Sequence, residues 1–81
     1  MPKQLAPDGT RNIIGQHLKK LRKEAHLSQN DLARKLQLRG YEIDRNTITR
    51  IEAGIRFVSD IELKALVEIF DVDYEVLFHG R

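Results

Sequence analysis

Apolar residues recur along this chain at intervals of three and four, the spacing that places them on one side of a helix. The first series consists of Ile14, Leu18, Leu21 and Ala25, and charged residues fill many of the positions between them. No segment shows the sustained alternation of apolar and polar residues that a half-buried strand requires. The pattern therefore predicts an all-α domain whose folded part begins near Ile13.

Polar residues and a glycine mark where a second helix begins and ends. Ser28 and Asp31 match a capping box, in which the serine oxygen accepts from the third backbone amide and the carboxylate reaches back. Gly40 suits the left-handed position that ends such a helix. The buried side is predicted to consist of Leu32, Ala33 and Leu36, extended by Leu38.

A third, short helix is predicted to begin after Asp44, whose carboxylate can accept from a backbone amide as an N-cap. Ile48 and Ile51 form its inward side, and Gly54 suits the residue after its end. The residues that then lie away from the core are Arg45, Asn46, Thr49 and Arg50.

Two further helices are predicted in the remaining sequence. Ser59 and Glu62 form a second capping box, flanked by a hydrophobic staple between Val58 and Leu63. Asp73 is placed to cap a short fifth helix. The apolar residues are Leu63, Leu66, Val67 and Phe70 in the fourth helix and Tyr74, Val76, Leu77 and Phe78 in the fifth.

The chain has 81 residues and no cysteine, which predicts one domain stabilised by apolar packing without disulfides. Residues 1–12, with Pro2, Pro7 and Gly9, are predicted to form a flexible N-terminal arm, and residues 13–79 the folded domain. No stretch has the length and apolarity of a signal peptide or a membrane span. We therefore expect a cytoplasmic protein that does not contact membranes.

Positive charge is concentrated in the first part of the chain. Residues 1–56 carry 12 Lys and Arg against 6 Asp and Glu, whereas residues 57–81 carry 2 against 6. This asymmetry indicates a basic face for a polyanion, although a merely solvated lysine-rich face accounts for the charge equally well.

The sequence contains no arrangement typical of an enzyme or a metal site. His17, His26 and His79 are scattered, the carboxylates have no catalytic spacing, and there is no glycine-rich phosphate loop. A metal site would also need thiolates or a close histidine pair. We therefore expect a non-enzymatic protein with no cofactor, metal or small-molecule ligand.

Residues 27–33 (LSQNDLA) and 46–54 (NTITRIEAG) resemble the helix-turn-helix of the phage repressor and Cro family, and residues 59–78 resemble its last two helices. The resemblance covers residues 13–78 and implies a five-helix, lambda-repressor-like domain with the motif in helices two and three. It also implies a double-stranded DNA partner, bound by a homodimer on a palindromic operator.

In this family the second helix of the motif lies in the major groove and the first braces the phosphate backbone. The resemblance therefore assigns base edges to Arg45, Asn46 and Arg50, with Thr49 beside them, and a phosphate to Gln29. Two alternatives stay open: Asn46 contacts a phosphate instead of a base, or Gln29 is an ordinary exposed residue of the first turn. The chemistry suits the positions, because arginine pairs with guanine and asparagine with adenine.

Other charged residues receive roles from the same resemblance. Arg11 and Arg56 are candidates for phosphate contacts, each no better supported than simple solvent exposure. Arg22 and Glu52 stand where the family has an internal ion pair between helix one and the end of the reading helix.

Between Leu36 and Thr47 the chain is about five residues longer than the family pattern, which has a tight turn there. Either helix two is extended by about a turn or the connector forms a loop, and Ile43 takes the core position before the third helix. The extra residues either bring Arg39 or Tyr41 to the sugar-phosphate edge or enlarge the core, and we favour the second.

The function predicted is sequence-specific DNA binding by a repressor-like transcriptional regulator. The alternative is a protein-interaction module, such as an antitoxin or a coactivator-like domain. The acidic C-terminal part supports this alternative, because Tyr74 and Phe78 could belong to a partner surface, although core packing or a homodimer seam is more usual for such residues.

Overall fold

The computed structural model describes residues 4–80, and within them the chain forms five α-helices and no strand. The helices are α1 (Gly15–Glu24), α2 (Gln29–Leu38), α3 (Arg45–Glu52), α4 (Asp60–Phe70) and α5 (Tyr74–His79). Helix α3 packs against α1 and α2, α5 packs against α1, and α4 packs against α2. The predicted all-α, five-helix architecture is confirmed, and α2 and α3 form the helix-turn-helix pair.

One apolar core joins all five helices, since each contributes at least one fully buried side chain. Its largest fully buried members are Leu18, Leu32, Leu36, Ile48, Ile51, Leu66 and Leu77. Burial of a leucine or isoleucine contributes about 1.5–3 kcal/mol, so this core is the main stabilising feature of a domain without disulfides.

Both predicted capping boxes are present. The Ser28 hydroxyl accepts from the Asp31 amide at 3.0 Å, and the Asp31 carboxylate accepts from the Ser28 amide at 2.8 Å. Ser59 and Glu62 make the same reciprocal pair at 3.1 and 3.0 Å. Each box satisfies two backbone amides that the start of a helix leaves without an intrahelical partner.

The starts of α3 and α5 differ from each other. The Asp44 carboxylate accepts from the Thr47 amide at 2.8 Å, as predicted. Asp73 occupies the corresponding position before α5, but its carboxylate makes no capping bond among the described residues. The α5 start is instead closed by the Val76 amide, which donates to the Asp73 carbonyl.

The first four helices end in one hydrogen-bonding pattern, in which a residue of positive φ lets two successive amides turn back to the last helical carbonyls. Gly40 at φ 90° and Gly54 at φ 78° take this position after α2 and α3, as predicted. His26 at φ 58° and Asp71 at φ 52° take it after α1 and α4. The ends of α1 and α4 therefore have no glycine that would mark them in the sequence.

The lengthened connector between α2 and α3 enlarges the core and is hydrogen-bonded to both α2 and α4. Helix α2 continues to Leu38, and residues 39–44 then form a loop. Ile43 is 2% exposed, and its carbonyl accepts from the Gln37 side chain at 3.0 Å. The Tyr41 hydroxyl donates to the Ile61 carbonyl of α4 at 3.3 Å. The connector is thus held against α2 and α4.

Leu38 does not extend the buried stripe of α2, since it is 82% exposed. It follows Leu36 by two residues, which on a helix is a rotation of about 200°. The side chain consequently lies on the opposite side of α2 from the core.

Residues 6–12 are bound to the end of α3, whereas the sequence predicts a flexible arm for residues 1–12. The Gly9 amide donates to the Ala6 carbonyl and the Ala6 amide to the Thr10 carbonyl, which closes a turn. The Arg11 amide then donates to the Gly54 carbonyl at 2.7 Å. Backbone bonds of this kind are not available to a detached arm. Residues 1–3, with Pro2, lie outside the described residues.

Candidate nucleic-acid interface

Helix α3 divides into a buried face and an exposed polar face. Ile48 and Ile51 are at most 1% exposed and seat the helix in the core. The exposed residues are Arg45, Asn46, Thr49 and Arg50. Within residues 4–80, the side chains of Arg45, Asn46 and Arg50 donate no hydrogen bond. The structure therefore brings the four predicted base-facing residues onto one face and leaves three of them with available donors.

A buried ion pair joins α1 to the end of α3. Arg22 donates to both carboxylate oxygens of Glu52, from Nε at 2.7 Å and from Nη2 at 3.1 Å. The side chains are 9% and 4% exposed. Arg22 also donates from Nη1 to the Leu27 carbonyl at 2.9 Å. The guanidinium thus holds the α1–α2 turn and the α3 end in one relative position.

Gln29, the predicted phosphate contact, bridges the two helices of the motif through its side chain. Its Nε2 donates to Glu52 at 3.0 Å, and its Oε1 accepts from the Thr49 hydroxyl at 2.9 Å. The single Thr49 proton has the Arg45 carbonyl as a second acceptor at 3.0 Å. Thr49 and Gln29 are therefore bonded to each other, and one Nε2 hydrogen of Gln29 remains for a ligand.

Asn12 joins α1 to the end of α3, a role that the sequence interpretation missed. Its carboxamide oxygen accepts from the amides of Ile14 and Gly15 at 3.1 and 2.8 Å and so caps α1. Its Nδ2 donates to the carbonyls of Ile51 and Arg56 at 3.0 and 2.8 Å. One side chain thereby fixes the start of α1 on the end of α3. The signal available was an asparagine just before an apolar helical series.

Arg56, a predicted phosphate contact, is engaged inside the protein. It donates from Nη1 and Nη2 to the two carboxylate oxygens of Glu62, both at 3.0 Å. Nη1 also donates to the Phe57 carbonyl at 3.0 Å. The resulting ion pair is partly shielded and ties the loop after α3 to the start of α4.

Arg39 and Arg11, the other two predicted phosphate contacts, lie in different places. The Arg39 guanidinium pairs with Glu68 of α4 at 3.2 Å, and both side chains are about half exposed. This contact agrees with a structural role for the insertion. The Arg11 guanidinium donates to the Ile55 carbonyl at 3.3 Å and lies over the Phe57 ring, 5.9 Å from its centroid. Arg11 is therefore placed beside the end of α3, whereas Arg39 is fastened to α4.

Carboxylates at three helix starts have lowered pKa values. For Asp31 and Asp44 the main cause is a hydrogen bond from a backbone amide, that of Ser28 and of Thr47 respectively. Partial burial acts to raise the pKa of Glu62, but the hydrogen bonds from Arg56 and Ser59 outweigh it, and the pKa lies below its ordinary value. The charged form is the one that each site stabilises.

These shifts predict destabilisation in acid. A carboxylate whose folded pKa is depressed stabilises the protein above its ordinary pKa of about 4, and that contribution is lost as the pH falls through the folded pKa. We expect the free energy of unfolding, measured with urea, to be smaller at pH 3 than at pH 6. Glu62→Gln should reduce this difference, because glutamine retains the capping geometry but does not titrate. An equal pH dependence in the variant would contradict a role for Glu62.

No helix within residues 4–80 is both long and apolar enough to cross a bilayer. The same part of the chain contains no group of three or more His, Cys, Asp or Glu side chains that could hold a metal ion.

Comparison with known proteins agrees with this geometry. A family model described as helix-turn-helix matches residues 18–77, which spans from α1 into α5. None of the curated proteins matches the sequence. The matched family is one of DNA-binding regulators and is generally non-enzymatic. The chain therefore belongs to the helix-turn-helix family of the phage repressor and Cro type.

Proposed function

We propose that this protein binds double-stranded DNA sequence-specifically, as a repressor-like transcriptional regulator of the cytoplasm, with α3 in the major groove. The observation that carries the proposal is the exposed polar face of α3, opposite the buried Ile48 and Ile51. The major groove admits an α-helix, and side chains near the start of that helix reach the base edges. Arg45 and Asn46 occupy that first turn.

The first-turn side chains have the chemistry of base recognition. The Arg45 guanidinium can donate twice to guanine O6 and N7, and the Asn46 carboxamide can pair with adenine N6 and N7. The Thr49 hydroxyl is bonded to Gln29, which leaves its methyl group to contact a thymine methyl. We therefore expect each half-site to contain at least one guanine.

The start of α2 would contact the backbone. The remaining Nε2 hydrogen of Gln29 and the first backbone amides of α2 are donors of the kind that bind phosphate at a helix N-terminus. Because Gln29 is also bonded to Glu52 and Thr49, a phosphate there would fix α2 and α3 together on the DNA. A homodimer would place two such units on a palindrome, with half-sites about one helical turn apart.

A selection from random duplex DNA, run at two salt concentrations, tests this function. We expect an enriched palindromic motif with a preferred guanine in each half-site. Affinity for that motif should fall steeply as salt rises, since phosphate contacts release counterions. Enrichment of A·T-rich motifs alone would contradict base reading by arginine, and no enrichment at either salt concentration would contradict sequence-specific binding.

Replacing Arg45 with alanine is expected to weaken binding to the selected site by about 5- to 150-fold, the equivalent of the 1–3 kcal/mol of one bidentate base contact. On a duplex in which the contacted guanine is replaced, the variant should bind about as tightly as the wild type. The variant would then no longer discriminate between the two duplexes. Fluorescence anisotropy on both duplexes measures this. Lys64→Ala is the matched control, because it removes one exposed positive charge from α4. Discrimination retained by the Arg45 variant would refute its role.

A protein-interaction module is the second candidate function, favoured by one observation. Helices α4 and α5 are acidic and expose Ile61 at 64% and Tyr74 at 46%. Such apolar residues on an acidic surface suit a protein partner. A DNA affinity that is weak and nearly independent of salt would favour this function over the first.

A further inference from the structure

A concavity of about 330 Å³ lies where the N-terminal segment meets the end of α3. Its lining residues are Arg11, Arg50, Ile55, Arg56 and Phe57. Three of the five are arginines, and they come from three separate pieces of the chain: the segment before α1, the last turn of α3 and the loop after it. The fold therefore collects guanidinium groups that are up to 45 positions apart (56 − 11) in the sequence.

The three arginines are not equivalent in charge. Arg56 is paired with both oxygens of Glu62, so its positive charge is largely neutralised. Among the described residues, neither Arg11 nor Arg50 forms an ion pair with a carboxylate within 4.0 Å. The concavity consequently has a net positive charge supplied by these two side chains.

Arg11 is held in position by neutral groups that leave most of its donors available. It gives one hydrogen bond to the Ile55 carbonyl and lies over the ring of Phe57. A guanidinium has five N–H donors, and the hydrogen bond to Ile55 uses one of them. The planar fork of arginine matches the oxygens of a phosphate.

We propose that this concavity binds one phosphate group, with Arg11 and Arg50 as its ligands and Phe57 and Arg56 as positioning residues, and that the phosphate is one of the DNA backbone beside the bases read by α3. The proposal rests on the DNA-binding function. It reassigns Arg50 from a base edge to the backbone and leaves Arg45 and Asn46 as the base readers. It also gives the N-terminal segment a binding role.

The test uses Arg11→Gln and Arg11→Lys in the full chain, with Lys64→Gln as the control for loss of one positive charge. On the selected duplex, we expect Arg11→Gln to weaken binding about tenfold, equally for matched and mismatched sequences. The slope of log affinity against log salt should decrease by about 1. Arg11→Lys should retain the salt slope but not the full affinity, because it keeps the charge and loses the fork.

The contacted phosphate is found with duplexes in which single phosphates are replaced by uncharged methylphosphonates. We expect one position in each half-site to weaken binding by the wild-type protein and to have a smaller effect on Arg11→Gln, which keeps only Arg50 as a ligand of that phosphate. Arg50→Gln should show the same reduced response at that position and retain base discrimination. Independent, additive effects of the two changes would overturn the proposal, as would an Arg11→Gln variant that behaves like Lys64→Gln.

Free inorganic phosphate is the other ligand whose chemistry fits the concavity. Titration of the DNA-free protein with inorganic phosphate, followed by the amide signals of Arg11 and Phe57 in NMR spectra, separates the two. Saturation in the millimolar range together with unchanged DNA binding by Arg11→Gln would assign the site to a free anion and overturn its backbone role. Wild-type protein that fails to bind any duplex would contradict the proposed function itself, an outcome visible without any variant.

Discussion

Replacing Glu52 with alanine is expected to lower the free energy of unfolding by about 3–5 kcal/mol, the cost of leaving one partner of a buried ion pair uncompensated. The variant would remove the acceptor of two Arg22 bonds and one Gln29 bond. The Arg22 side chain is 9% exposed, so water cannot replace those acceptors without opening the fold. The whole free energy of unfolding of a small domain is about 5–15 kcal/mol. The variant would therefore lose a large part of its stability.

Urea denaturation at neutral pH measures this effect. Glu68→Ala is the matched control, because Glu68 pairs with Arg39 in an exposed ion pair, and such pairs contribute about 0–1 kcal/mol. DNA binding by Glu52→Ala should weaken mainly through the smaller folded fraction. Unchanged stability in the Glu52 variant would mean that Arg22 finds another acceptor and that the pair is not structural.

Gly15→Ala is expected to destabilise the domain by about 1–3 kcal/mol, the range for inserting a methyl group into a packed contact. A methyl group at Gly15 would lie 2.9 Å from the Glu52 carbonyl oxygen and nearer still to that of Ile51. Backbone oxygens cannot move without displacing α3. The Ile51 oxygen is also the acceptor for Asn12, so the same shift would disturb the contact between α1 and α3.

The sign of the stability change in Gly15→Ala distinguishes the effect of the α1–α3 contact from that of helix propensity. Gly15 is in α1 without a positive φ, and propensity alone predicts that alanine stabilises a helix by about 0.5–1 kcal/mol. Gln16→Ala, one residue later at an exposed position, is the control and should change stability little. A Gly15 variant that melts at a higher temperature than the wild type would show that α1 can retreat from α3.

Local signals in the sequence were sufficient for much of the fold. The capping boxes at Ser28 and Ser59 and the N-cap at Asp44 are contacts between residues three apart, so the sequence itself places the partners together. The burial of Ile48 and Ile51 follows in the same way from helical periodicity. Within a helix, spacing along the chain determines which face a residue takes.

The partners of long polar side chains could not be predicted in this way. Arg39 pairs with Glu68, 29 positions later, and Asn12 reaches Arg56 across 44 positions. Arginine at a DNA-facing position and arginine in an internal ion pair have the same sequence signature, as Arg56 and its bond to Glu62 illustrate. The approach of residues 6–12 to α3 was also missed, because it depends on backbone amide and carbonyl groups, which every part of a chain offers.

The attachment of residues 6–12 to the end of α3 affects how the protein should be engineered. Anything fused ahead of residue 6, whether an affinity tag, a fluorescent protein or a second domain, would join the molecule within a few residues of Arg11 and the concavity it lines. A bulky fusion there would compete for space with DNA bound in the proposed way. Labels for binding measurements are better placed after α5, whose last turn packs against His17 of α1.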